Sequence, residues 1–200
     1  IVPAGVPGDS LELDYPRSGE NVYTRYSGEG GVNVGSFWKQ LLFSYYMGDF
    51  NILLTNYIQD DSQIQFWNQV RERVRRVAPF LKFDRDPYMV HGDDRQYWIL
   101  DAYTSSNSFP YSEPIRDQQG YEGTRYIRNS VKVVVDAFDG DVSFYIADPD
   151  DPIIQMYQEV FPDLFQPLDA MPETLRNHIR YPQDLFEMQV EQYRRYHQTQ

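Results

Sequence analysis

Residues 126–147 hold the feature that most constrains the fold. Tyr126–Phe138 and Asp141–Ala147 flank the dipeptide Asp139-Gly140. Val131, Val133 and Val135 fall on one face of the first run. Val142, Phe144 and Ile146 fall on one face of the second. Apolar alternation with period two, on both sides of a two-residue break, specifies an antiparallel hairpin with one buried face. Asp-Gly supplies the positive φ angles of a type I′ turn. A lone hairpin is marginal in water, so other segments must extend the sheet and cover it.

Candidate partners lie on both sides. Tyr88–Val90 and Gln96–Thr104 read as strands joined by the turn-forming His91-Gly92-Asp93-Asp94. Asn21–Ser27 reads as a short strand. Ser36 precedes Phe37, Trp38, Leu41, Leu42 and Tyr45 at helical spacing, and Phe50–Tyr57 follows as a second apolar segment. Ser62-Gln63-Ile64-Gln65 has capping-box spacing and predicts a helix over Ser62–Ala78, ended by Pro79. Pro152 after Asp151 predicts a helix through Val160. Further helices are expected from Pro172 to about Ile179 and from Pro182 towards Tyr196. Residues 1–20 read as an extended lead-in, residues 105–125 as a long polar loop, and His197–Gln200 as a frayed tail. The expectation is one α+β domain over residues 1–200. Its antiparallel sheet has about four strands, with helices packed mainly on one face.

Composition narrows function. A 200-residue chain can bury a sizeable core without a staple. Seventeen Tyr and twelve Phe would carry much of that core. The net charge of −12 argues against nucleic acid and against anionic lipid surfaces. With no cysteine, disulfide and thiolate chemistry are excluded. No apolar run approaches the length of a membrane span. Only Lys39, Lys82 and Lys132 are lysines, and the remaining basic residues are arginines, suited to structural pairing with carboxylates and aromatic rings. The chain opens at Ile1 without Met or a signal peptide, which suggests a piece of a longer protein.

Motifs for chemistry are sparse. Gly28-Glu29-Gly30-Gly31 lacks both a Gly-Lys-Ser/Thr ending and the G-x-G-x-x-G order, so it reads as a plain loop. Asp148, Asp150 and Asp151 offer three carboxylates that could hold Ca²⁺, against the simpler reading of acids at a helix start. Asp93-Asp94 beside His91, and Asp84 with Asp86, read as polar turns. His91, His178 and His197 lack zinc-ligand spacing. Ser105 and Ser106 lie at a strand exit without a G-x-S-x-G elbow. Asp101 and Asp136 on neighbouring strands are the best acid pair for hydrolysis, in a chain with many acids.

Several stretches resemble an uncharacterised bacterial protein family, number 0182. They include PGDSLELDYPRSGENVYTRYSGEGGVNVGSFWKQLLF (7–43), YWILDAYTSS (97–106), YIRNSVKVVVDAFDGDVSFYIAD (126–148) and RYPQDLF (180–186). The resemblance implies a multi-pass membrane protein whose large soluble portion, including this segment, lies outside the cytoplasm. It brings no activity and no catalytic residues with it. The leading expectation is therefore a non-catalytic extracytoplasmic domain, without cofactor. Its partners would be other segments of the same protein or an envelope protein, with no nucleic acid and no membrane insertion of its own. The apolar face of Pro182–Tyr196 and the 105–125 loop are the expected contact surfaces. An envelope hydrolase using Asp101 or Asp136 is the alternative, and a Ca²⁺-stabilised module the third.

Overall fold

A computed structural model describes residues 12–17, 20–24, 28, 30–55, 58, 60, 62–116 and 120–197. The rest of the 1–20 lead-in, Glu29 of the glycine-rich loop, residues 117–119 of the long loop and residues 198–200 of the tail lie outside that description. The chain divides into two compact units, Ile1–Trp67 and Asn68–Gln200.

Among the described residues, the first unit contains two small strand pairs and two helices. β1 (Glu12–Arg17) and β2 (Glu20–Thr24) form an antiparallel hairpin, so part of the expected lead-in is strand. β3 (Val32–Asn33) pairs with β4 (Gln63–Ile64). Between them come α1 (Phe37–Met47) and the single-turn α2 (Asn51–Leu54). The glycine-rich loop therefore leads to β3, and α1 starts after Ser36. α1 ends on Gly48, whose φ of 67° is the left-handed cap expected of glycine.

The second unit is built on one long strand. β5 (Lys82–Phe83), β6 (Tyr88–Gly92), β7 (Arg95–Ser106), β8 (Tyr126–Asp136), β9 (Val142–Ile146) and β10 (Phe165–Pro167) form a six-stranded sheet of order β10-β9-β8-β7-β5, with β6 also on β7. Every pairing is antiparallel except β10 with β9, which is parallel. The sheet is thus larger than the expected four strands and mixed. β10 was not legible because it is a three-residue segment that ends on a proline, too short to display a period.

Both faces of the sheet are covered, not mainly one. On the first face Leu100, Ala102, Val131, Val133, Val135, Phe144 and Ile146 pack against Val74 of α3 (Val70–Val77) and Ile154 of α4 (Pro152–Val160). On the second, Ile99, Val134 and Tyr145 pack against Met171 and Leu175, the latter from α5 (Glu173–Arg176). Tyr103 packs with Tyr121 and with Met188 of α6 (Gln183–His197). Alternation along β7 and β8, interrupted by a register shift between Ala102 and Thr104, sends neighbours to opposite faces, and each fully buried Val, Leu or Phe contributes about 1.5–3 kcal/mol.

Two local expectations fail for identifiable reasons. The helix over Ser62–Ala78 shortens to α3, because Ile64 is buried in the β3–β4 pair and Trp67 adopts φ 56°. Tertiary burial of Ile64 overrides the capping-box pattern. The tight two-residue turn is also elsewhere. Asp93 and Asp94, at φ 50° and 60°, join Gly92 to Arg95, which is the type I′ geometry. The β8–β9 connection, residues 137–141, is instead a five-residue loop, closed by Gly140 at φ 77° donating to Asp136 O. A side chain on Gly140 would also meet the Arg73 guanidinium, which donates to Gly140 O at 2.7 Å.

Candidate functional site

The second face of the sheet carries a connected set of acids and tyrosines. β5 ends at Phe83, so Asp84 and Arg85 leave the sheet edge towards the start of α6. Asp84 and Asp184 are both buried. The Asp84 carboxylate accepts from Tyr103 Oη at 2.5 Å and from the backbone N–H of Asp184 at 2.9 Å. The Asp184 carboxylate accepts from Tyr121 Oη at 2.8 Å, from Arg85 Nε at 2.6 Å and from the Arg85 N–H at 3.1 Å. Arg85 reaches on to Glu187 at 2.5 Å. Burial, and hydrogen bonds to these carboxylates, push both the Tyr103 and Tyr121 phenols far above their ordinary range. They are donors at every physiological pH, which fixes α6 and the 121 region to the strand edge. The sequence offered Asp84 only as a polar turn; its partner lies one hundred residues away, beyond the reach of local pattern.

Outside this floor lies a cleft of about 800 Å³, lined among others by Arg85, Ser112, Glu113, Ile115, Glu187 and Glu191. Two expected contact surfaces, the 105–125 loop and α6, thus meet at one cleft. The loop is anchored: Ile115 N donates to Thr124 O, Gly123 N to Ile115 O, and Arg125 N to Ser106 O, while Tyr121 is buried. The cleft walls are charged and largely self-paired. Arg116 pairs with Glu113, and Arg194 and Arg195 pair with Glu191. Exposed pairs of this kind contribute little to stability, but they leave a polar wall rather than an apolar one.

The expected acid pair is not brought together. Asp101 is opposite Lys132 in the β7–β8 register and forms a buried ion pair with it. Lys132 is held further by Asn129 Oδ1 at 2.6 Å. Burial pushes the Asp101 carboxyl up, against the pull of Lys132 and Asn129. Asp136 is opposite Tyr97, four residues along β8 from Lys132, about 13 Å at the usual strand rise. Glycosidase carboxylates sit roughly 5–9.5 Å apart. Asp136 instead accepts from Arg95 at 2.9 Å and from the N–H groups of Phe138 and Asp139. Burial alone would raise its carboxyl, but these donors bring it below the usual range.

The three acids considered for Ca²⁺ diverge as well. Asp151 is fully buried as the N-cap of α4. Its carboxylate accepts from the hydroxyls of Ser130 (2.5 Å), Tyr126 (2.6 Å) and Thr104, and from Ile153 N–H (3.1 Å). Burial opposes its charge, but these donors outweigh it and hold the carboxyl below its ordinary value, while the Tyr126 phenol rises to about 12. Asp148 pairs with Arg128 at 3.0 Å, and Asp150 is exposed. Among the described residues no three His, Asp or Glu side chains converge as metal ligands. Asp93 accepts from Thr174, and His178 Nδ1 lies 2.7 Å from Thr174 O. Ser106 Oγ accepts from Ser108 N–H.

Two apolar faces remain exposed. On α6, Phe186, Val190 and Tyr193 recur at helical spacing, beside Tyr181. On α1 the pattern is stronger and inverted. Ser44 is the buried residue of the helix, and Gln40 and Phe43 are half-buried. Phe37, Trp38, Leu42, Tyr45 and Tyr46 are all more than 60% exposed, and Leu41 is also exposed. Phe50 and Leu54, around α2, continue the patch. The sequence shows the α1 periodicity, but it was not among the expected contact surfaces. Among the described residues no helix is long and apolar enough to cross a membrane.

The whole chain, residues 1–200, matches the model of the Uncharacterised protein family (UPF0182). The chain belongs to this family. A UPF0182 protein from Salinibacter ruber is 84% identical over all 200 residues, which make up 21% of that relative. One from Cupriavidus necator is 51% identical across 96% of this chain and 21% of its own length. One from a Sulfurovum species is 49% identical across 94% of the chain, again 21% of the relative. This UPF0182 segment therefore spans about a fifth of the length of the relatives it matches. No solved structure matches it.

Proposed function

We propose that this segment is a non-catalytic binding or scaffolding module of a longer UPF0182 polypeptide, and that its α1–α2 face docks on another part of that polypeptide. The observation that carries the reading is the inverted polarity of α1. Its inward side presents Gln40, Phe43 and Ser44, while its outward side presents Phe37, Trp38, Leu41, Leu42, Tyr45 and Tyr46. An isolated surface helix has the opposite arrangement, and a contiguous apolar patch of this kind marks an interaction surface. The occupant we favour is the rest of the same polypeptide, because this segment makes up only 21% of the relatives' length.

In solution the isolated segment should bind an apolar-surface dye and self-associate as concentration rises. Trp38→Glu with Leu42→Glu should lose both properties while keeping the native circular dichroism spectrum. A wild-type segment that stays monomeric and takes up no dye would overturn the docking reading.

We also propose that the parent is a membrane protein with this module outside the cytoplasm. Support comes from the family resemblance and from the acidic balance, which suits an aqueous setting away from anionic lipid. Since the segment has no cysteine, Asp169→Cys adds an exposed thiol to it for a membrane-impermeant reagent, read against the unsubstituted parent. Labelling in intact cells is expected; labelling only after lysis would contradict the placement.

A further inference from the structure

A second surface of the sheet unit has the opposite chemistry to the acidic whole. α3 reads VRERVRRV, with Arg71 and Arg75 one turn apart on the same side. They line a cavity of about 350 Å³ together with Lys82, Arg85, Gly120 and Tyr121. Four cationic side chains and no carboxylate belong to its described lining.

Two of the four are fixed by the fold. Lys82 donates to Gly120 O at 2.9 Å and Thr124 Oγ1 at 3.0 Å, with its ammonium 5.2 Å from the centre of the Tyr121 ring. Burial lowers its pKa, with Glu122 opposing. Arg85 is clamped by Asp184 and Glu187. The other two are different. Arg71 is half-buried, and its Nε is fully buried with no hydrogen-bond partner. Arg75 is exposed and forms no ion pair with a described carboxylate. Like charges one helical turn apart repel, and a buried guanidinium N–H without an acceptor is costly. In a chain with thirty acids and a net charge of −12, pairing partners were plentiful in the sequence, yet this cavity wall is cationic.

We propose that this groove binds a small multivalent oxyanion of the phosphate type. The guanidiniums of Arg71 and Arg75 supply directional donors, and Lys82 a compact charge from the strand side. Donors converging from a helix and from a strand edge suit a tetrahedral anion better than a planar carboxylate. The volume is at the small end of ligand pockets, which matches a phosphate or diphosphate group rather than a polymer. The site is independent of the α1 face and of the docking reading.

Calorimetric titration of the 200-residue chain with pyrophosphate, at low ionic strength where screening is weak, tests it. Saturable binding is expected, weakened at least about tenfold by Arg71→Gln and by Arg75→Gln, as removal of a charge-assisted donor implies. Arg75 is exposed, so its variant should keep the wild-type melting curve. Arg176→Gln, on α5 and outside the groove, should bind as wild type. Four results would overturn the proposal: no binding at millimolar pyrophosphate, unchanged binding by Arg75→Gln, equal weakening by Arg176→Gln, or citrate binding as tightly as pyrophosphate.

Discussion

At the scale of single residues, Asp151 is the clearest case of a carboxylate whose role is set by distant partners. It caps α4 and gathers hydroxyls from β7 and β8 into one buried point. Asp151→Ala removes the cap and leaves those hydroxyls without their acceptor. The expected loss is about 2–4 kcal/mol in a denaturant titration at neutral pH. The carboxyl is held below its unfolded value. Its charge therefore stabilises the fold above the unfolded pKa, near 4. That contribution is lost as pH falls through the folded pKa. The gap between wild type and Asp151→Ala should accordingly close in acid. A gap that stayed constant down to low pH would show that the carboxylate charge contributes nothing. The sequence made Asp151 visible as a helix start, because Asp-Pro before an apolar run is local grammar. It could not show the hydroxyls, since Thr104 and Ser130 reach Asp151 only through the pairing of two strands. For the same reason Asp101 looked like a free acid until Lys132 was placed opposite it.

At the scale of elements, strands with strong alternation were legible and short ones were not. β7, β8 and β9 follow from their valines and aromatics, and α4 and α6 from proline and periodicity. β5 and β10 are two and three residues long and carry no period of their own. α3 was over-extended because Ile64 and Trp67 fit a helical stripe while belonging to a strand pair and a left-handed residue. Both turns lie where expected, but the tight two-residue turn is Asp93-Asp94, and Asp139-Gly140 sits in a longer loop. Both Asp93-Asp94 and Asp139-Gly140 are permitted in tight turns, and the register of the whole strand decides between them. Asp93 and Asp94 adopt left-handed angles at some cost in a non-glycine residue. Asp94→Gly should remove that cost and stabilise the β6–β7 hairpin by about 0.5–1 kcal/mol. A rise in melting temperature checks this; a fall would mean that the Asp94 side chain supports the turn.

At the scale of the whole molecule, the two faces of the sheet divide the work of the unit. One face is an apolar core of aliphatic and aromatic side chains under α3 and α4. The other combines apolar clusters with a buried polar set of Asp84, Tyr103, Tyr121, Asp184 and Arg85, which ties the C-terminal helix to the sheet edge. Neither arrangement explains α1, whose outer side is more apolar than its inner side. A helix face of that composition marks an interaction surface or an aggregation liability when left open to water. The extent of the UPF0182 relatives supplies a candidate cover, and the reading is therefore of a part made to fit a larger whole. The sequence could not reveal this, because the same periodicity serves a buried helix and an uncovered one.

The α1 face is proposed to meet another region of its own polypeptide. This is tested most directly by placing a photo-reactive phenylalanine analogue at Tyr45, with this segment carried in a full-length UPF0182 chain. Irradiation is expected to give an intramolecular cross-link to residues outside the 200-residue segment, identified by mass spectrometry, while the same analogue at the exposed Asp169 gives none. Cross-links from Tyr45 only to other molecules, or only within the segment, would contradict the account.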